Sequence, residues 1–100
     1  MNVPPSSGIR VPPEKLRTLV AALFEKAGTS RADAELMAKL LVLTDLRGVF
    51  SHGTRYTQSY TQMMLDGKVN PRPVLRAHNP SATTQVLDGH FFIRNILFLF

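Results

Sequence analysis

Asp45-Leu46-Arg47-Gly48-Val49-Phe50-Ser51-His52-Gly53 gathers a carboxylate, a guanidinium, a hydroxyl and an imidazole between two glycines. The residues before it are strongly apolar with helical spacing, and those after it are amphipathic. Glycine lets a chain reverse direction where other residues would be strained. The segment therefore reads as a turn between two helices, with the chemistry placed in the turn.

Upstream, Ser30-Arg31-Ala32-Asp33 matches a capping box, in which a serine accepts from a backbone N–H three residues on and a carboxylate reaches back. Leu36, Met37, Leu40, Leu41 and Leu43 follow and cover more than one narrow stripe. The spacing predicts a helix over about 31–46, buried on two sides and ended by Gly48, with Glu35 and Lys39 paired on its open face. Further upstream, Leu16, Leu19, Val20, Leu23, Phe24 and Ala27 form one apolar face of a helix over about 13–27. Pro12 and Pro13 suit its first turn, and Gly28 stops it. Residues 1–10 hold two prolines, two serines and a glycine, and read as a flexible lead-in without a secretory core.

Downstream, Tyr56, Tyr60, Met63 and Met64 recur at helical spacing within Thr54–Leu65, with Gly67 after the end. This stripe reads as core or interface, and residues 11–67 form one helical segment. Asn70-Pro71-Arg72-Pro73 forbids both helix and central strand. Within 68–89, Val74–Ala77 and Thr83–Leu87 predict two short strands separated by Asn79-Pro80-Ser81. They pair with each other or edge a larger sheet. The result is a three-helix segment followed by two short strands, α+β in this stretch. Residues 90–100, His90 to Phe100, carry eight large apolar residues after the histidine without pattern. They read as a chain cut short or run out of frame rather than a buried strand, and as an aggregation hazard.

One hundred residues limit the chain to one small domain or a piece of a larger one. There is no cysteine, which excludes disulfides and thiolate chemistry and suits a reducing, cytoplasmic setting. The net charge is +5, and the excess lies in the second half. Residues 47–100 carry six Lys/Arg against two acids, a balance that suits an anionic partner. The longest apolar run is too short to span a bilayer.

His52 is the sharpest candidate residue: an imidazole beside a helix start, whose free N–H groups attract anions, can move a proton near neutral pH. Arg47 is either a counter-charge for a helix C-terminus or a two-point fork for a carboxylate. Asp45 is a solvated residue, a partner for Arg47 or an orienter of His52. His78 and His90 lack a second ligand at useful spacing, so no metal is expected. No Gly-rich nucleotide cradle is present. Arg55, Gln58, Ser59 and Gln62 share one face of the third helix, which leaves a small basic helix-turn-helix DNA-binding module as the alternative.

Taken in order, the pieces Ala27-Gly28, Ala34, Asp45-Leu46-Arg47-Gly48, Ser51-His52-Gly53, Tyr60, Gly67, Asn70-Pro71 and Asp88-Gly89 resemble the amino-terminal region of the malate/L-lactate dehydrogenase family. This family lies outside the ordinary Rossmann lactate and malate dehydrogenases and includes ureidoglycolate, sulfolactate and diketogulonate oxidoreductases. The resemblance spans about residues 9–89, the first quarter or so of a member. It implies a larger, unusual α/β fold, a homodimer, and hydride transfer between NAD or NADP and a 2-hydroxy/2-oxo acid. It also implies that His52 is the acid/base, with Ser51 and Arg47 lining the substrate pocket. Neither nucleic acid nor membrane is an implied partner. Two features depart from the family. Tyr56 stands where many members carry an arginine, and residues 90–100 replace the polar stretch that leads toward the nicotinamide-binding body, so the short chain is expected to be inactive alone.

Overall fold

The computed structural model describes Val3 and residues 6–89, and the apolar segment 90–100 lies outside the described residues. Helix α1 spans Pro13–Lys26, helix α2 Arg31–Leu46 and helix α3 Thr57–Leu65. Strands β1, Arg76–Ser81, and β2, Thr84–Asp88, pair antiparallel. This is the expected mixed architecture of three helices and two strands.

Helices α1 and α2 form an antiparallel hairpin around a four-residue connection, Ala27–Ser30. Ser30 caps α2 as its sequence predicts, since the Asp33 N–H donates to Ser30 Oγ at 3.3 Å. Val20 and Phe24 of α1 meet Ala34, Met37, Ala38 and Leu41 of α2, and Met64 of α3 completes the core. Thr29 in the connection is fully buried and satisfies its hydroxyl by donating to Met64 Sδ at 3.3 Å.

The predicted apolar face of α1 is wider than the buried one. Leu19 is 56% and Leu23 44% exposed, because one facing helix covers the row Leu16-Val20-Phe24 but not residues about 100° around the axis. Helix α2 is likewise buried along Ala34, Met37, Ala38, Leu41 and Val42, while Leu43 and Leu46 stay exposed. Glu35 pairs with Arg31 at 3.2 Å instead of with Lys39.

All three helices end with a glycine in a Schellman arrangement. At α2 the Gly48 N–H donates to the Asp45 carbonyl at 2.9 Å and the Val49 N–H to the Thr44 carbonyl at 3.1 Å. Gly48 has φ +80°, which an L side chain adopts only at a cost. Open space surrounds its Cα, so Gly48→Ala isolates the backbone effect. A loss of about 1–2 kcal/mol is expected in chemical denaturation.

The linker after α3 is docked. Pro71 lies against Gly28, and Arg72 Nε donates to the Gly28 carbonyl at 2.8 Å. The hairpin beyond it differs from expectation. Asn79-Pro80-Ser81 does not separate the strands but lies within β1, and Ala82-Thr83 makes the turn. The register passes from His78↔Val86 to Ser81↔Thr84, so Asn79 and Pro80 together oppose Gln85. That bulge accommodates a proline, because the extra residue owes no ladder hydrogen bond. Both strands are exposed throughout.

Candidate functional site

The turn after α2 is built from two short 3₁₀ turns, Phe50–His52 and Thr54–Tyr56, and α3 begins only at Thr57. This corrects the expectation of a continuous helix from Thr54: the Tyr56 N–H donates three residues back, to the Gly53 carbonyl at 3.2 Å, and the turn is braced by Asp45. Its carboxylate reaches across the turn and accepts the Thr54 N–H, at 3.2 and 3.3 Å to its two oxygens, and the Thr54 hydroxyl at 2.5 Å. Asp45 therefore neither pairs with Arg47 nor orients His52; it holds the two ends of the turn together. The helix start beside His52 was also expected to attract an outside anion. The Thr54 N–H, where the sequence placed that start, is taken by the chain's own carboxylate, and α3 itself begins three residues later.

Gly53 sits where the turn closes over this carboxylate. A Cβ built on it would collide with Asp45 Oδ1, lie 2.6 Å from Asp45 Cγ and lie 3.3 Å from the Asp45 backbone nitrogen. Glycine is required here for space, since its φ of −98° is open to any residue.

Ser51 and His52 are brought into direct contact, with Ser51 Oγ 2.8 Å from His52 Nδ1. That bond engages one imidazole nitrogen and leaves Nε2 as the nitrogen available to a ligand. His52 is exposed and Ser51 is half-buried. Arg47 is the C-cap residue of α2 and is exposed, joined to the Ser51–His52 pair through the Gly48-Val49 turn. On the other side of His52, the Tyr56 ring lies 5.9 Å away and tilted by 56°. Tyr60 stacks on Tyr56 at 5.3 Å with 13° between the planes, and packs against the core.

Spacing alone did not reveal the Asp45–Thr54 bond, nor the link between His52 and the aromatic pair. Thr57, at the start of α3, is also buried with a hydroxyl oxygen that has no hydrogen-bond partner among the described residues.

The sequence profile of the malate/L-lactate dehydrogenase family matches residues 11–97. The chain belongs to this family. Among its relatives, a malate dehydrogenase of Pyrococcus horikoshii is 35% identical over 81 residues, which is 81% of this chain and 22% of that protein. The L-sulfolactate dehydrogenase of Methanocaldococcus jannaschii is 36% identical over 78 residues, covering 77% of this chain and 22% of that protein. The crystal structure of a dehydrogenase from Sinorhizobium meliloti superposes with a TM-score of 0.84 at 31% identity, over 91% of this chain and 28% of that one. The chain thus spans between a fifth and a third of the family members it matches. The family match includes the whole turn from Asp45 to Gly53. No helix among the described residues is long and apolar enough to cross a membrane.

A nicotinamide cofactor, which the sequence resemblance implies, carries a pyrophosphate that needs an anion site. Helices α1 and α2 do not provide one. A pyrophosphate favours a helix N-terminus with free N–H groups. Here α1 opens on Pro12-Pro13 with Glu14 beside it, α2 opens on Ser30 and Asp33, and Asp45 occupies Thr54 ahead of α3. Glu14 and Asp33 lie in the first turns of α1 and α2, whereas α3 has no acid in its first turn. Gly28, Gly48 and Gly67 close helix C-termini, whose outward carbonyls repel an anion.

Proposed function

We propose that this chain supplies the proton-transfer side of a 2-hydroxyacid oxidoreductase site, with His52 as the group that exchanges a proton with the substrate oxygen. The observation that carries this reading is the Ser51 Oγ–His52 Nδ1 contact of 2.8 Å on an exposed turn of a dehydrogenase-family chain. A carbonyl that receives hydride at carbon develops negative charge on oxygen. An acid within hydrogen-bond reach of that oxygen lowers the barrier by delivering a proton as the charge forms. His52 protonated at Nε2 can do so, and in the reverse direction neutral Nε2 accepts the proton of the alcohol. Ser51 fixes the ring by its bond to Nδ1. Arg47, at the mouth of the same turn, holds the substrate carboxylate, to which a guanidinium can offer two parallel hydrogen bonds.

When bound, NADH or NADPH would supply the hydride in the reducing direction, and NAD or NADP would accept it in the oxidising one. The assembly in which the reaction runs is a homodimer in the cytoplasm. A 2-hydroxy or 2-oxo acid suits this turn better than DNA, the alternative partner. The side chains of Ser59 and Gln62 are engaged locally, Ser59 Oγ with the Tyr56 carbonyl at 3.2 Å and Gln62 Nε2 with Asp66 Oδ1 at 2.9 Å, and Arg55 lies on the 3₁₀ turn rather than on α3.

The reading is tested by substrate binding. Titrating the isotopically labelled chain with pyruvate, oxaloacetate and their 2-hydroxy counterparts is expected to shift the His52 ring and Arg47 guanidinium resonances together, with acetate giving a weaker response. Movement of neither group at saturating acid, or equal response to acetate, counts against the assignment.

A further inference from the structure

We infer that Tyr56 is a positioning residue for His52, the middle member of an aromatic column that anchors an exposed imidazole to the protein core. The observation is a continuous series of ring contacts. Tyr60 packs against the core, Tyr56 stacks on Tyr60 at 5.3 Å and 13°, and His52 lies tilted against Tyr56 at 5.9 Å and 56°. Both ring separations fall in the range where aromatic pairs attract, and a stacked and a tilted pair are two of the arrangements their quadrupoles favour.

The need for such a column follows from the position of His52. It lies on a three-residue 3₁₀ turn, is exposed, and belongs to no buried cluster. The Ser51 bond restrains one end of the ring, and a ring held at one atom still swings about that atom. The Tyr56 ring supplies a second point of restraint on another side. Together they restrict where Nε2 points. Tyr56 is able to serve because Asp45 sets the Thr54–Tyr56 turn by its bonds to Thr54, and because Tyr60, one helical turn along α3, stops the Tyr56 ring from rotating away. The contact uses the ring face and edge, so the phenolic hydroxyl is dispensable for it.

The relevance of this positioning to catalysis rests on the acid–base role proposed for His52; the ring geometry does not. The test is carried out on the full chain by NMR, with His78 on the exposed strand β1 as the internal reference. In the unsubstituted protein, cross-relaxation is expected between the His52 ring protons and the Tyr56 ring protons. Tyr56→Leu is expected to move the His52 ring resonances toward those of His78 and to broaden the distribution of its ring orientations. Tyr56→Phe retains the unsubstituted positions, and Tyr60→Leu gives an intermediate shift. Met64 methyl resonances report in each case whether the core is intact. Absence of cross-relaxation in the unsubstituted protein overturns the inference even if Tyr56→Leu fails to fold. So does a Tyr56→Leu protein, folded by the methyl criterion, whose His52 resonances are unmoved, or a Tyr56→Phe protein that behaves like Tyr56→Leu. A confirmed column in a protein whose His52 does not respond to 2-oxo acids removes the acid–base reading and leaves the positioning in place.

Discussion

Exchange of His52 for alanine is expected to lower turnover by about 10²–10⁴-fold, the usual worth of a positioned general acid–base group. The measurement calls for a complete site, which is obtained by grafting residues 11–89 in place of the corresponding segment of the Pyrococcus horikoshii malate dehydrogenase and following malate oxidation. The side chain is exposed and lies outside the buried core, so its removal should leave unfolding within about 0.5 kcal/mol of the unsubstituted graft. That separation of activity from stability gives the experiment its force. A fall in turnover without a matching fall in stability assigns the loss to chemistry. Near-normal turnover would refute the role given to His52, and a parallel collapse of both quantities would move it from catalysis to structure. Ser51→Ala, which removes only the partner of Nδ1, is expected to cost less than His52→Ala, because the ring still meets Tyr56.

Gly53→Ala is expected to destabilise the chain by roughly 1.5–3 kcal/mol, the range for losing hydrogen bonds to a charged group. The added methyl falls on the Asp45 carboxylate, which is held in place by Thr54 and cannot retreat without releasing it. The cause is testable by a double-mutant cycle in urea. In an Asp45→Ala background the obstructing carboxylate is gone, and the cost of Gly53→Ala should shrink to a few tenths of a kcal/mol, since contacting sites are non-additive where distant ones are not. Equal costs in the two backgrounds would show that the backbone at Gly53, rather than the carboxylate beside it, sets the requirement. The graft adds a functional readout: Gly53→Ala should also impair turnover, because the two 3₁₀ turns that carry His52 and Tyr56 meet at Gly53.

Much of this molecule is legible from local patterns. Helix α1 was expected to end at 27 and ends at Lys26; α2 falls at Arg31–Leu46 as its capping serine and terminal glycine indicate. Those features depend on a residue and its neighbours within one turn, so periodicity and capping chemistry suffice to find them. The hairpin was read with the right number of strands and the wrong turn. Asn79-Pro80-Ser81 carries the stronger turn chemistry, and the bulge that absorbs Pro80 into β1 depends on the register with Gln85, which no local pattern states.

Family membership was likewise written in the order of short motifs, above all Arg47-Gly48 and Ser51-His52-Gly53. Local sequence patterns were enough for the three helices, their C-terminal stops and the family, but not for the start of α3. The tertiary structure alone decided the work of the neighbouring groups. Asp45 passes over Arg47 and His52 for Thr54, nine residues away, and Tyr56 serves the histidine through a ring contact braced by Tyr60. The physical reason is range. Secondary structure and its caps are settled within four residues along the chain, whereas a carboxylate or an aromatic ring takes the partner that the folded backbone brings within a few ångströms.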